Sequence, residues 1–157
     1  MLIKVLFVCH GNICRSPMGE FVMKDIVSRE GLADSFEIAS AATSSEEIWN
    51  GVGNPVYPPA RAKLAEHGIS CEGKRARQIT PKDGEYYDLL ICMDSANMRN
   101  TKRVCGHDEK IHLLLEYTGE NRDVADPWYT DDFEATWQDV SRGCKALFEK
   151  ITSDNNI

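Results

Sequence analysis

Continuous apolar segments alternate along the chain with segments of helical periodicity. Residues 2–8 are apolar and branched except for Lys4, and a glycine follows closely, which is typical of a buried strand. Residues 87–93 ("YDLLICM") and 110–115 ("KIHLLL") predict two further buried strands. Residues 36–40 predict a shorter one. The pattern therefore indicates four strands spread over most of the chain.

Helical signals fill the intervals between these strands. Ser16 and Pro17 are typical of an N-cap and a first helical position, and apolar residues at helical spacing follow them. Residues 60–67 and 95–104 predict two more helices, and residues 133–151 a closing one. In that last segment apolar side chains recur every three or four positions: Phe133, Trp137, Val140, Cys144, Leu147 and Ile151. Strands that alternate with helices predict an α/β fold, a three-layer sandwich around a mostly parallel four-stranded sheet, with residues 1–157 as a single domain.

Composition narrows the possible functions. A chain of 157 residues is long enough for one well-packed domain, and its net charge of −7 argues against general binding to nucleic acid or to acidic membranes. The apolar N-terminal segment is too short for a membrane span or a signal peptide. Six cysteines without a secretory signal predict free thiols and a cytoplasmic location.

The segment "VCHGNICRSP" (residues 8–17) leaves the first strand and enters a helix, where α/β folds bind their ligands. Backbone N–H groups in such a loop form a nest for a tetrahedral anion, and the helix N-terminus strengthens it. Gly11 permits close backbone approach, and Asn12 tolerates the left-handed region. Arg15 supplies a planar fork that matches two phosphate oxygens. The loop therefore predicts a phosphate site.

Cys9 lies at the base of this loop, where the cationic surroundings favour a nucleophilic thiolate. The Ser16 hydroxyl is placed to hydrogen-bond the sulfur and to steady it as a leaving group. Asp126 in "VADPWYT" is the candidate acid for protonating a leaving oxygen. Cys71 and Arg77 repeat the six-residue spacing, but no apolar strand precedes Cys71 and no helix start follows Arg77. We interpret Cys71 as a structural thiol.

Three large aromatic residues, Trp49, Trp128 and Tyr129, lie in two loops that are otherwise rich in small and polar residues. One interpretation is that they line a slot leading down to Cys9, which would select a flat phenyl ring by stacking and by depth. The alternative, that each packs under its own loop, stays open at this point.

Five motifs in order resemble the low-molecular-weight protein tyrosine phosphatases: "VCHGNICRSP", "SAAT", "HGI", "CMDSANM" and "DPWY". The resemblance covers essentially the whole chain. It implies hydrolysis of phosphotyrosine and aryl phosphates through a cysteinyl-phosphate intermediate, without a metal or other cofactor. Phosphotyrosine proteins or peptides would be the partners and inorganic phosphate the product.

The resemblance also implies roles for individual residues. Cys9 matches the nucleophile, Arg15 the phosphate clamp, Ser16 the group that stabilises the thiolate, and Asp126 the general acid that later acts as a base. The substrate would be bound by the rest of the loop and the three aromatics, namely His10, Gly11, Asn12, Ile13, Cys14, Trp49, Trp128 and Tyr129.

Supporting roles follow from the same resemblance. Asn12, Ser40 and His67 match residues that brace the loop by hydrogen bonds, and Asp94 matches a carboxylate near the arginine. For Ser40 the alternative of a strand end, and for His67 that of a helix cap, stay open at this point. Cys14 matches a second loop cysteine that pairs with the nucleophile under oxidation, which implies redox regulation.

Departures from the family pattern fall in the loop expected at the pocket entrance. Ala42 replaces a usual glycine, and Asn50 stands where histidine often follows the tryptophan. Tyr57-Pro58-Pro59 replaces a polar run before the middle helix. These changes leave the catalytic residues in place and bear on substrate preference.

Four alternatives remain at this stage. An arsenate reductase on the same scaffold needs two further cysteines close together, and the nearest downstream pair, Cys92 and Cys105, spans a predicted strand and helix. A protein arginine phosphatase has a small threonine where this chain has Ile13. A non-catalytic phosphotyrosine-binding module would be expected to lose the thiol or the acid. A zinc site built from the loop's two cysteines and His10 fits none of the common spacings.

Overall fold

The computed structural model describes all of residues 1–157. Six strands are present: β1 (Ile3–Cys9), β2 (Phe36–Ala42), β3 (Ile48–Trp49), β4 (Val52–Gly53), β5 (Leu89–Cys92) and β6 (Ile111–Leu113). Four of them form the central sheet in the order β2-β1-β5-β6, and every neighbouring pair is parallel. The short strands β3 and β4 form a separate antiparallel hairpin.

Six α-helices surround the sheet: α1 (Arg15–Arg29), α2 (Pro58–Glu66), α3 (Pro81–Tyr86), α4 (Ser95–Cys105), α5 (Pro127–Thr130) and α6 (Phe133–Asn155). Short 3₁₀ turns cover Ala33–Ser35, Asp108–Lys110 and Leu114–Thr118. None of the helices combines the length and the hydropathy that crossing a bilayer requires.

Side chains of β1 alternate between two apolar cores, because successive residues of a strand point to opposite faces. Val5 and Phe7 join the larger core, which also contains the buried faces of α1 and α6. Leu6 and Val8 join the smaller core on the other face, together with Cys105 of α4. Helices thus cover both faces of a parallel four-stranded sheet, which confirms the predicted α/β sandwich.

The order of the strands places the loop after β1 at a reversal of the sheet. The chain goes from β1 to β2 on one side, and β5 and β6 are added on the other side of β1. Loops that leave the carboxyl ends of strands at such a point diverge and open a crevice. The segment that joins β1 to α1 lies there.

The start of α1 differs from the prediction. The helix begins at Arg15 with Cys14 as its N-cap, so Ser16 is not the N-cap and Pro17 is not the first helical residue. The reason is chemical: the Ser16 hydroxyl is bonded to the Cys9 sulfur and to the Asn12 amide and does not cap the helix.

The other differences concern short elements. β6 ends at Leu113, because the Leu113 N–H is bonded to the Glu116 carboxylate at 2.8 Å as the chain turns into a 3₁₀ helix. α3 is missing from the prediction although Thr80 and Asp83 form a capping box, a signal readable in the sequence.

The long polar loop after β2 contains the β3–β4 hairpin, which the polar pattern does not indicate. Asn50 and Gly51 form its turn with φ of 50° and 77°, values that Asn-Gly pairs adopt in tight hairpins. Gly53, which comes after the turn, packs closely against the backbone of Ala76. A Cβ at this position would lie 1.8 Å from the Ala76 carbonyl oxygen. Only glycine therefore permits this approach.

Candidate active site

Cys9 is the last residue of β1 and is almost fully buried. Its sulfur accepts hydrogen bonds from the Asn12 N–H at 3.3 Å and from the Ser16 N–H at 3.4 Å. The Ser16 hydroxyl lies 3.0 Å from the same sulfur. Since Ser16 is in the first turn of α1, the positive end of the helix also faces Cys9. Three hydrogen-bond donors and a helix N-terminus therefore converge on one sulfur.

Asn12 holds the loop in shape. Its φ of 59° lies in the left-handed region, which turns successive N–H groups toward one centre. Its buried amide donates to Ser16 Oγ at 2.7 Å and to Ser40 Oγ at 2.9 Å. Its Oδ1 accepts from the Arg77 N–H at 3.1 Å. One side chain thereby ties the loop to α1, to β2 and to the segment before α3.

Arg15 is buried, and its guanidinium is fixed from two sides. Nη1 donates to Asp94 Oδ2 at 2.8 Å and to the Val124 carbonyl at 2.9 Å, while Nη2 lies 3.5 Å from Asp126 Oδ2. Burial opposes the charge, but the negative groups of Cys9, Asp94 and Asp126 outweigh it and raise the pKa of Arg15. The guanidinium is a permanent cation in a set orientation.

Asp126 is the N-cap of α5. Its Oδ1 accepts from the Trp128 N–H at 3.0 Å, and Pro127 begins the helix. The carboxylate is partly exposed, with 26% of its side-chain surface accessible, and it lines the cavity that contains Cys9. A carboxyl group and a thiol therefore line the same small cavity.

This catalytic cavity has a volume of about 190 Å³. It is lined by Cys9, His10, Gly11, Ile13, Cys14 and Arg15 of the loop, by Glu46 and Glu47, and by Asp126, Trp128 and Tyr129. A thiol, an anion nest, a fixed guanidinium and a carboxyl group are the groups that transfer of a phosphoryl group from an ester oxygen to sulfur requires.

The model of the low molecular weight phosphotyrosine protein phosphatases matches residues 4–156 of this chain. The chain belongs to this family. A low molecular weight protein-tyrosine-phosphatase of Bacillus subtilis, YfkJ, is 35% identical over 99% of the chain and 100% of its own length. The low molecular weight phosphotyrosine protein phosphatase of Rattus norvegicus is 41% identical over 93% and 94%. The crystal structure of YfkJ superposes with a TM-score of 0.92 over 98% of this chain and 97% of its own.

In this family member the structure brings most of the expected site residues together. Cys9, Arg15, Asp126, Trp128 and Tyr129 line one cavity. Two supporting side chains also lie where the resemblance expects them. Ser40 bonds to the Asn12 amide, and Asp94 bonds to Arg15 while its other oxygen caps α4.

His67 does not brace the phosphatase loop; of its two interpretations, the helix cap is the one that the structure shows. It ends α2, where its ring stacks on Trp137 with centroids 3.9 Å apart and an interplanar angle of 11°. The amide of Asn12 is satisfied by Ser16, Ser40 and the Arg77 backbone instead. The stacked imidazole is therefore used in packing α2 against α6.

The interpretation in which all three aromatics line the cavity is wrong for Trp49. It sits beside the hairpin turn, has 71% of its surface exposed and does not line the cavity. Trp128 and Tyr129 do line it, and Tyr57 packs against Trp128 with centroids 5.1 Å apart. Asn12 likewise contributes its backbone N–H to the site while its buried side chain lies behind the loop.

Cys14 lines the same cavity as Cys9. Burial and the charges of Cys9 and Asp126 raise the pKa of Cys14 to about 12, so it stays a thiol at neutral pH. All six cysteines are free in this structure. The cavity therefore contains two cysteines with different surroundings.

The sequence analysis did not identify two charged residues that support the loop, the buried Glu20 and the partly buried Lys74. Glu20 accepts from the Ser40 hydroxyl at 2.6 Å, and Lys74 Nζ lies 3.2 Å from the same carboxylate. Glu20 follows Ser16 by four residues, so its place on the same face of α1 was a readable signal. Lys74 arrives from a loop without any periodic pattern, and nothing in the sequence points to it.

Glu46 and Glu47 at the cavity are also missing from that interpretation. Glu46 Oε2 lies 2.9 Å from His10 Nε2, and Glu47 accepts from the Asn54 amide at 2.7 Å. Both acidic residues come from the polar loop between β2 and β3. The loop's fold, rather than its composition, brings them to the site.

Proposed function

We propose that this phosphatase removes phosphate from tyrosine in two steps, with Cys9 and Asp126 as its catalytic residues. In the first step the Cys9 thiolate attacks phosphorus, an S–P bond forms and the ester P–O bond breaks. The Asp126 carboxyl gives its proton to the departing phenolic oxygen. In the second step the Asp126 carboxylate takes a proton from water, and the water oxygen attacks phosphorus. The S–P bond breaks and inorganic phosphate is released.

The observation that carries this proposal is the environment of the Cys9 sulfur. Donors from Asn12 and Ser16 surround it, so the thiolate is stabilised both before attack and as the leaving group. Arg15 is fixed by Asp94 on one side and lines the cavity on the other. The guanidinium and the loop N–H groups are therefore placed to hold the phosphoryl oxygens through the transition state.

A substrate screen tests the proposed activity. Phosphotyrosine, phosphoserine and phosphoarginine peptides, together with arsenate, are incubated with the protein in the presence of a chelator. We expect phosphate release from phosphotyrosine at a rate far above that from the others, because Ile13 and Trp128 line the cavity with apolar surface that suits a phenyl ring. Faster release from phosphoarginine, or thiol-dependent reduction of arsenate, would instead favour the two other activities known on this scaffold.

Trp128→Ala should lower kcat/KM for phosphotyrosine peptides by about tenfold, the equivalent of ~1.4 kcal/mol, because a stacking partner is lost. It should also reduce the preference of the enzyme for phosphotyrosine peptides over short alkyl phosphates. Trp49→Ala is the matched comparison, since Trp49 is exposed and lies outside the cavity. It should change both quantities by less than about twofold. Equal losses in the two variants would contradict the placement of the aromatics.

Peroxide should inactivate the enzyme reversibly. The Cys9 thiolate attacks peroxide and becomes a sulfenic acid with release of hydroxide; the Cys14 thiol then displaces water and forms a Cys9–Cys14 disulfide. The raised pKa of Cys14 protects it from direct oxidation, so Cys9 reacts first. Activity after added thiol and peptide mapping measure the outcome. Cys14→Ser should lose the recovery, whereas Cys71→Ser should retain it. Cys9 found mainly as sulfinic or sulfonic acid in the native protein, with Cys14 unmodified, would exclude this protection.

Phosphotyrosine proteins or peptides are the proposed partners, and the acidic chain is unsuited to nucleic acid. A cytoplasmic location remains our prediction from the cysteine content, and the six free thiols are the state that a reducing compartment maintains.

A further inference from the structure

A second cavity, of about 500 Å³, adjoins the catalytic one. It will be called the α2 groove and is lined by Ile13 and Glu47, which also line the catalytic cavity, and by Pro58, Arg61, Ala62 and Ala65 of α2. The two cavities therefore share a wall. A peptide whose phosphotyrosine enters the first has its neighbouring residues beside the second.

The apolar character of the α2 groove comes from the end of the loop before α2 and from the first residue of that helix. Val56, Tyr57 and Pro58 line it there. Pro58 has no N–H to hydrate, and Ala62 and Ala65 present only methyl groups on the exposed side of α2. This surface is suited to an apolar side chain.

Hydrogen bonds fix the wall between the two cavities. The Tyr57 N–H donates to the Ile13 carbonyl at 2.9 Å, and the Asn54 N–H donates to the Glu47 carbonyl at 2.8 Å. The Asn54 amide also holds the Glu47 carboxylate at 2.7 Å. The groove is thus preformed in the free protein, which lowers the entropy lost on binding.

Arg61 is the one positively charged residue that lines the α2 groove. It is exposed and makes no ion pair, and the one negative group of the groove, the Glu47 carboxylate, accepts a hydrogen bond from the neutral Asn54 amide. A guanidinium in that setting complements a carboxylate on the ligand.

We infer that the α2 groove binds the residues that flank the phosphotyrosine of the substrate: an apolar side chain against Ala62 and Ala65, and an adjacent acidic side chain paired with Arg61. This subsite rests on the proposed activity, because it uses the phosphotyrosine in the catalytic cavity as its anchor. It gives the phosphatase a preference for sequence around the phosphorylated residue.

Phosphotyrosine peptides test the subsite. Each peptide carries Leu-Glu, Leu-Ala, Ala-Glu or Ala-Ala within three residues of the phosphotyrosine, before it in one set and after it in the other. In one of the sets we expect the Leu-Glu peptide to exceed the Ala-Ala peptide in kcat/KM by about tenfold, with gains from both Leu and Glu. The double variant Ala62→Gln/Ala65→Gln should reduce the Leu gain below about twofold, because the longer side chains fill the groove. Arg61→Ala should remove the Glu gain.

Two controls keep the outcomes separate. Ala33→Gln/Ala135→Gln changes two exposed alanines that line neither cavity, and Arg103→Ala removes an exposed arginine of α4; both should retain the gains. Hydrolysis of free phosphotyrosine should be the same in all variants. Absence of either gain in the native protein, or its persistence in the variant designed to remove it, would overturn the subsite. Failure to hydrolyse free phosphotyrosine would count against the proposed activity instead.

Discussion

Cys9→Ser should lose turnover by a factor on the order of 10⁴ or more while the folded protein still binds inorganic phosphate. A serine hydroxyl is far less ionised than a thiol and does not supply the nucleophile. The Asn12 and Ser16 donors that surround the position, and the fixed Arg15, remain in place to hold the anion. Steady-state rates with an aryl phosphate and a phosphate titration followed by tryptophan fluorescence measure the two quantities.

Cys71→Ser is the matched control, since Cys71 is also a buried thiol that stands six residues before an arginine. The Arg77 guanidinium forms an ion pair with the Asp83 carboxylate, with Nη1 and Oδ2 3.1 Å apart, and Cys71 does not line the catalytic cavity. This variant should keep near-native activity. Near-native turnover of Cys9→Ser, with or without an effect at Cys71, would remove Cys9 from the mechanism.

Asp126→Asn should lower kcat/KM for an aryl phosphate with a poor leaving group by a factor on the order of 10²–10⁴. An amide does not donate the proton that the departing phenolate needs. The loss in kcat/KM should shrink for an activated ester, whose leaving group departs without protonation. Asn preserves the N-cap bond to the Trp128 N–H, so the position of α5 should be retained.

Asp131→Asn provides the comparison for that variant. Asp131 is exposed at the end of α5, and its left-handed φ of 56° is one that asparagine adopts readily. Asp131→Asn should leave kcat/KM unchanged for both the poor and the activated leaving group. An equal loss for good and poor leaving groups in Asp126→Asn would reassign Asp126 from proton donor to structural residue.

The fold and the centre of the site could be predicted because their signals are local. A buried strand, a Gly-Asn pair, an arginine and a helix start stand within one short segment, so the position of Cys9 and Arg15 follows from sequence order alone. The closing helix was predicted from its spacing and is observed as α6 (Phe133–Asn155). Parallel pairing follows from the alternation of strands and helices.

Contacts that depend on loop geometry could not be predicted from the sequence. Trp49 was placed at the cavity because it is a large aromatic in a polar loop, but the hairpin turn at Asn50 and Gly51 leaves it exposed. One interpretation placed His67 at the loop because it matches a motif, but its imidazole ring stacks on Trp137. Lys74 reaches Glu20 only through the tertiary fold.

The central claim, a phosphoryl group carried on Cys9, is tested most directly by trapping it. Asp126→Asn should form the intermediate quickly from an activated aryl phosphate but hydrolyse it slowly, since the base that activates water is missing. We expect rapid acid quenching followed by peptide mapping to find phosphate on the Cys9 sulfur, appearing with a burst of the phenol. Phenol release that continues without any protein-bound phosphate, or phosphate found on His10 instead, would contradict the account.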